Sequence, residues 1–174
     1  MTVSHTSKTT TIWDYTHTDT DNISDPTDKK LYIISNSYAD GSGNNQMQDM
    51  FRIEVTISPG GDNEDSYDLA GGVVDAFGNT LTFATIKKLI LLNTATVSGD
   101  DLRLGGLVSG TTGSLITDLF GAVDGGVTVK AGGSVNIEAP LTGYTVTGGS
   151  ADILAISNDG VNDVTYQLLI GGTR

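Results

Sequence analysis

The sequence predicts an all-β protein: an antiparallel β-sandwich or jelly roll with an extended N-terminal arm. Three observations lead there. Glycine occurs 23 times in 174 residues, mostly in pairs or beside Asn, Asp and Ser, the residues of tight turns. Acid is carried almost wholly by aspartate, with only Glu54, Glu64 and Glu138 as glutamates among 21 acidic residues; aspartate favours turns and caps where glutamate favours helices. Apolar residues come in short alternating runs bounded by turn chemistry, the pattern of half-buried strands. With 37% hydrophobic and 17% charged residues, the chain lacks the Ala, Leu, Glu and Lys of a helical bundle. Its length suits one domain with one core.

Residues 1–29 read as a polar extended arm, and residues 30–174 as a single sandwich domain. The arm carries one apolar cluster, Ile12, Trp13 and Tyr15, which includes the chain's one tryptophan. Solitary aromatics in a polar arm usually serve as anchors, so these three are the expected partner-binding residues, docking the arm on its own body or a neighbour's; simple disorder of the arm is the alternative. Residues 29–35 begin the body as a strand, and 36–49, rich in Gly, Asn and Asp, read as a long loop or wide hairpin connection. Residues 50–58 alternate cleanly, with Phe51, Ile53, Val55 and Ile57 on one face and Arg52, Glu54 and Thr56 on the other. Such a period of two marks a strand with one buried face. A turn follows over 58–66, then a short strand over 66–71 and a turn over 77–80.

Residues 82–88 could form one or two helical turns or continue extended. The run Leu89, Ile90, Leu91, Leu92, closed by Asn93, is too short for an independent helix, so 88–93 reads as a strand buried on both faces. Lys87 and Lys88 stand at its mouth. Their stems are expected on apolar surface, with the ammonium groups reaching water or nearby aspartates. Further strands are expected over 101–108, 126–131, 134–139, 144–148, 152–157 and 163–171, with a short helix or irregular crossing over 113–123. That makes about nine or ten strands at roughly 8–12-residue spacing, as in sandwiches and jelly rolls. No internal repeat is visible.

The search for chemistry returns little. The only histidines, His5 and His17, lie in the arm, and no serine sits in a Gly-x-Ser-x-Gly elbow. Holding a triad tightly from a mobile segment conflicts with catalytic geometry. No cysteine is present, so disulfides and thiolate chemistry are excluded. The paired glycines match neither the Walker nor the dinucleotide pattern and are expected to supply positive φ at bends. Calcium could find hard oxygen ligands at Asp19 and Asp21, which share one side of an extended chain with His17, and at nearby Asp25 and Asp28, or in the acidic turn over 60–68. Both lack the EF-loop pattern and read as solvated acid, so no metal site is expected. Paired carboxylates, for which Asp100 and Asp101 are the candidates, are settled only by their spacing in space. Passive glycan binding would call for an exposed aromatic patch near Tyr15, Tyr38 or Tyr67. The expected protein is therefore no enzyme and carries no cofactor. A net charge of −12 without a basic cluster argues against nucleic acid. The start has no apolar secretory segment, and no window approaches the roughly 18 apolar residues of a membrane span.

Two blocks carry a resemblance. "DSYDLAGGVVDAFGNTLTFATIKKLILLNTA" is followed by "DLFGAVDGGVTVKAGGSVNIEAPLTGYTVTGGSADILAISNDGVNDVTYQLLIGG", together spanning about residues 65–172. This pattern resembles a family of structural proteins of tailed-phage and prophage virions. The resemblance implies a capsid decoration or cement protein, binding the head shell as a symmetric oligomer, a trimer being expected. Its partners would be further copies of itself and the major capsid protein or another virion protein, and its location the virion after synthesis in the host cytoplasm. A tail or fibre-base component of the same fold is the alternative, and a receptor- or glycan-binding sandwich is another. The arm and residues 36–49 lie outside the resemblance.

Overall fold

The computed structural model describes residues 6–18, 27–60, 63–106, 117–121 and 125–174. Strands β1 (Ser7–Thr18) and β2 (Thr27–Asp40) form a hairpin, followed by the two-residue β3 (Gln46–Met47). The body then runs through β4 (Asp49–Ile57), β5 (Glu64–Asp68), β6 (Val73–Val74), β7 (Thr80–Leu81), β8 (Thr85–Asn93) and β9 (Leu102–Gly105). A single-turn helix, α1 (Thr117–Phe120), precedes β10 (Gly126–Val129), β11 (Ser134–Glu138), β12 (Tyr144–Thr145), β13 (Ile153–Asn158) and β14 (Val164–Thr173). The body is an all-β sandwich. One sheet has the order β11-β8-β14-β4, with β12 also pairing β8, and the other has the order β10-β9-β13-β5. Every pairing in these two sheets is antiparallel. The pairing is nested: β4 joins β14, β5 joins β13, β8 joins β11 and β9 joins β10.

Alternation decides which side chains meet between the sheets. In β4, Phe51 and Ile57 are buried, while Ile53 and Val55 pack against the core from partial burial. Arg52, Glu54 and Thr56 face water. Across the register, Leu89 stands opposite Ile170 and Leu91 opposite Leu168, all four in the core. The second sheet answers with Leu102, Leu104, Val129, Leu154 and Ile156, and Leu69, Val73, Leu81, Phe83 and Val146 join the cluster. Burying a side chain of this size contributes about 1.5–3 kcal/mol. Two fully buried asparagines tie strand ends where ladder bonds run out. Asn93 Nδ2 donates to the carbonyls of Asp100 and Val129 at 2.9 and 3.1 Å. Asn158 Nδ2 donates to those of Ile57 and Asn162 at 3.0 and 2.8 Å.

Several expectations change in detail. Residues 82–88 form no helical turn: 82–84 are irregular with a bend at Ala84, and the central strand begins at Thr85. Its inner face is sealed at Leu89 and Leu91, whereas Ile90 and Leu92 on the outer face are half-buried. The strand expected over 66–71 begins two residues earlier, at Glu64. Of 113–123, the short helix occupies Thr117–Phe120, and 113–116 and 122–123 lie outside the described residues.

The largest revision concerns the arm. Its Ser7–Thr18 is one strand of a two-stranded ribbon whose register runs from Ser7↔Tyr38 to Thr18↔Thr27, roughly 40 Å long at the rise of an extended chain. The ribbon crosses the expected boundary at residue 29. The segment 36–49 is not a long loop: Asn36 to Asp40 belong to β2, and only 41–45 connect it to β3. Tyr38 and Met47, at 2% and 0% exposure, are the anchors that hold this connection down. Residues 7–11 and 36–40 are mostly polar and show no apolar alternation, so they read as arm and loop in sequence. Among the described residues, no helix is long and apolar enough to cross a membrane.

Candidate functional site

The ribbon presents apolar side chains to solvent. Ile12, Leu31, Ile33 and Ile34 are 61%, 54%, 57% and 64% exposed. Residues directly opposite in an antiparallel pair share a face. Ile12 pairs with Ile33, and Leu31 pairs with Asp14 two positions further on, so Ile12, Ile33 and Leu31 form a contiguous apolar strip. Ile34, opposite Thr11, faces the other way. Of the three expected anchors, Ile12 is therefore undocked from its own body. Trp13 and Tyr15 stand opposite Tyr32 and Lys30 in the register, and their side chains lie outside the described set.

At its root the ribbon meets the body through polar contacts. Lys88 and Glu138 face each other across β8 and β11, with Lys88 Nζ donating to Glu138 Oε1 at 2.9 Å. Asn36 of β2 donates its Nδ2 to the other oxygen, Glu138 Oε2. Burial pushes the Glu138 carboxyl up, but hydrogen bonds from Lys88, Asn36 and Thr9 and the Lys88 charge outweigh it and hold the group below its ordinary range. Lys87 donates to the carbonyl of Leu141, and burial pushes its amine below the usual lysine range.

Both lysines are thus buried, at 2% and 6% exposure, and neither reaches water or an aspartate as expected. A β-bulge explains how neighbours in one strand can both be covered. Gly171 pairs with Lys88 and Gly172 with Ile86, leaving Lys87 as the extra residue. The extra residue breaks the alternation that would otherwise turn one lysine outward.

Tyr38 lies in the same region, its hydroxyl 3.5 Å from the carbonyl of Lys87. Burial, and then the Glu138 charge, push its pKa up to about 12 from the ordinary 10.0. An unfolded chain releases this proton first, so unfolding gains between pH 10 and about 12. Stability is expected to be intact below pH 10 and to fall across that window. Tyr38→Phe should flatten the fall in the urea midpoint, leaving the share of Tyr67 and Tyr166, both also raised. Equal slopes for variant and wild type would show that Tyr38 titrates freely.

The aromatic patch required for glycan binding is not formed by the described tyrosines. Tyr38 is buried. Tyr67 is half-buried, its ring 5.4 Å from that of Phe51 and its hydroxyl 2.6 Å from that of Tyr166. Tyr166 in turn donates to Asp65 at 2.6 Å, so these groups form a closed chain. The side chain of Tyr15 lies outside the described set.

The carboxylate candidates are structural ties. Asp100 accepts from the amides of Val161 and Asn162 at 3.3 Å and from Asn162 Nδ2 at 3.1 and 3.2 Å. Asp101 pairs with Lys130 at 2.7 Å and accepts from Ala131 N at 3.3 Å. Of the arm's proposed calcium ligands, Asp19, Asp21 and Asp25 and the side chains of His17 and Asp28 lie outside the described set. In the second acidic turn 61–62 lie outside it as well. Among the described residues, no three His, Cys, Asp or Glu side chains group so as to hold a metal ion.

One open groove of about 630 Å³ lies on the outer face of the larger sheet, lined by Arg52, Glu54, Ile90, Leu92, Gln167 and Leu169 among others. Sequence reasoning missed the ribbon, the Glu138 cluster and this groove. The Thr-rich composition of 7–18, with Ile12, Trp13 and Tyr15 among the threonines, was the one available signal for the ribbon.

No family model, no curated protein and no solved structure matches this chain.

Proposed function

We infer that the chain is a structural protein of a tailed-phage or prophage virion, acting as a decoration or cement subunit that binds the head shell as a symmetric oligomer. The observation that carries this reading is the long ribbon with its exposed Ile12, Leu31, Ile33 and Ile34. An isolated two-stranded hairpin is marginal in water, and exposed apolar strips mark contact surfaces. Such a ribbon gains most when it lies on a neighbouring copy, the major capsid protein or another virion protein. Repetition on a lattice then multiplies a modest contact into firm attachment.

Three further observations support it. The nested strand order supports a jelly-roll reading of the sandwich, a scheme common in viral capsid and lectin domains. The sequence blocks over 65–172 resemble virion structural proteins. The net charge of −12 keeps unassembled subunits apart and in solution. A tail or fibre-base position of the same module uses the same surfaces and differs only in location.

A reconstruction of the particle assembled by the encoding phage tests the reading. Density for this chain at three-fold or quasi-three-fold positions of the head supports decoration, and density confined to the tail replaces it with the alternative. The ribbon's part is tested separately. Changing Ile12, Leu31, Ile33 and Ile34 together to Thr should abolish oligomer formation or shell binding in light scattering. The thermal midpoint of the body should stay within a few degrees, because these side chains leave the core untouched. A variant that assembles as wild type does would remove the ribbon from the contact.

A further inference from the structure

Glu138 holds two unlike nitrogen groups at once. Its Oε1 accepts from the primary amine of Lys88 at 2.9 Å, and its Oε2 accepts from the carboxamide of Asn36. The Lys88 and Glu138 side chains are only 7% and 12% exposed, and Asn36 is half-buried. The three groups come from β8, β11 and β2, so the cluster joins the central strand of the body to the root of the ribbon. A buried ion pair by itself adds little net stability, because desolvation offsets attraction. What the pair does here is place an amine and an amide on the two oxygens of one carboxyl, largely shielded from water.

We propose that Lys88 and Asn36 condense into an intramolecular isopeptide bond, with Glu138 moving the protons. A proton first passes from Lys88 Nζ to Glu138 along their hydrogen bond, leaving a neutral amine. The hydrogen bonds from Lys88, Asn36 and Thr9 favour the Glu138 carboxylate, so its protonated form is a transient one and the reaction is slow. The Nζ lone pair attacks Asn36 Cγ, and a bond forms between them. A second proton leaves Nζ, and Glu138 relays one to Asn36 Nδ2 as the Cγ–Nδ2 bond breaks. Ammonia departs and carries away the remaining proton as ammonium, so Glu138 ends as the carboxylate it began. No oxidant, reductant or co-reactant is consumed. The gain comes from fixed proximity, which turns a slow encounter between amine and amide into an intramolecular step.

The bond has a mechanical consequence. β2 continues into the body through the short connection 41–45 and two parallel pairs with β3, helped by non-covalent side-chain contacts such as Tyr38 on the Lys87 carbonyl. Load on the ribbon would otherwise fall on these hydrogen bonds. A covalent link from Asn36 to Lys88 passes it directly into β8, the strand flanked by β11 and β14. The chain has no cysteine, so no disulfide can serve this purpose, and an amide link is indifferent to redox conditions.

Intact mass spectrometry of the full-length protein is the test, read on fresh and incubated samples. The wild type is expected to weigh one ammonia less than its sequence. Digestion should yield one branched peptide joining the Asn36 and Lys88 segments. Glu138→Gln should keep the full sequence mass. Asn36→Ala, at the half-buried root where folding is least at risk, should keep the mass of its own sequence. A folded wild type that retains its full mass after prolonged incubation overturns the proposal. So does an ammonia loss that maps to a linear peptide, which would be cyclisation of an asparagine on its own backbone.

Discussion

Gly172→Ala is expected to be among the most damaging single substitutions in the body. A Cβ there would stand 2.0 Å from the carbonyl oxygen of Thr85 and 2.8 Å from Cδ1 of Phe83. The first of these is backbone, so no rotamer change relieves it. Gly172 pairs with Asp49 on one side and Ile86 on the other, so β14 cannot move off one neighbour without meeting the next. The cost should reach or exceed the top of the usual overpacking range, about 3 kcal/mol. That is a large part of a typical total of about 5–15 kcal/mol. Gly148→Ala is the control: its Cβ would meet only the methyl of Ala70 at 3.4 Å. Urea midpoints of the two variants should differ widely. Similar midpoints would mean that the bulge at Gly171–Gly172 can be repaired by a small shift.

Leu89→Ala should cost about 2–5 kcal/mol, through lost transfer energy and the cavity left behind. Leu89 is fully buried, between Ile170 on β14 and Ile137 on β11, in the middle of the larger sheet where neighbours cannot collapse inward. For a domain of this size the thermal midpoint should fall by roughly 4–20 °C. Ile90→Ala, one residue on and half-buried on the outer face, should cost distinctly less. The comparison separates a strand sealed on both faces from one sealed on its inner face alone. Equal losses at the two positions would show that something covers the outer groove.

The class of fold was legible because its signals are local. Turn residues, the scarcity of glutamate and the alternation over 50–58 each depend on a few adjacent residues, and β4, β8, β11, β13 and β14 fall where those signals place them. The glycine pairs were read as bends, and Gly132, with φ 70 between β10 and β11, is one. Gly171 and Gly172 are not. They sit inside β14, and Gly172 is required by the closeness of another strand, which only the register can specify. The lysines illustrate the same point. Their place at the start of a core strand was visible, but their burial depends on a bulge opposite Gly171–Gly172 and on Glu138, 50 residues away in sequence.

The candidate site was less legible than the fold. Ile12, Trp13 and Tyr15 drew notice as apolar residues in a polar arm, yet the exposed strip also needs Leu31 and Ile33, which pairing brings alongside. By itself the sequence determined an all-β chain with a buried central strand, a polar N-terminal segment and no local catalytic motif. The tertiary structure alone decided that this segment is a paired ribbon, that the strands nest around β8 and β14, and that Lys88, Glu138 and Asn36 converge. The physical reason is that strand propensity and turns are set by neighbouring residues. Partners across a sheet are set by long-range register, which a single strand's pattern does not encode.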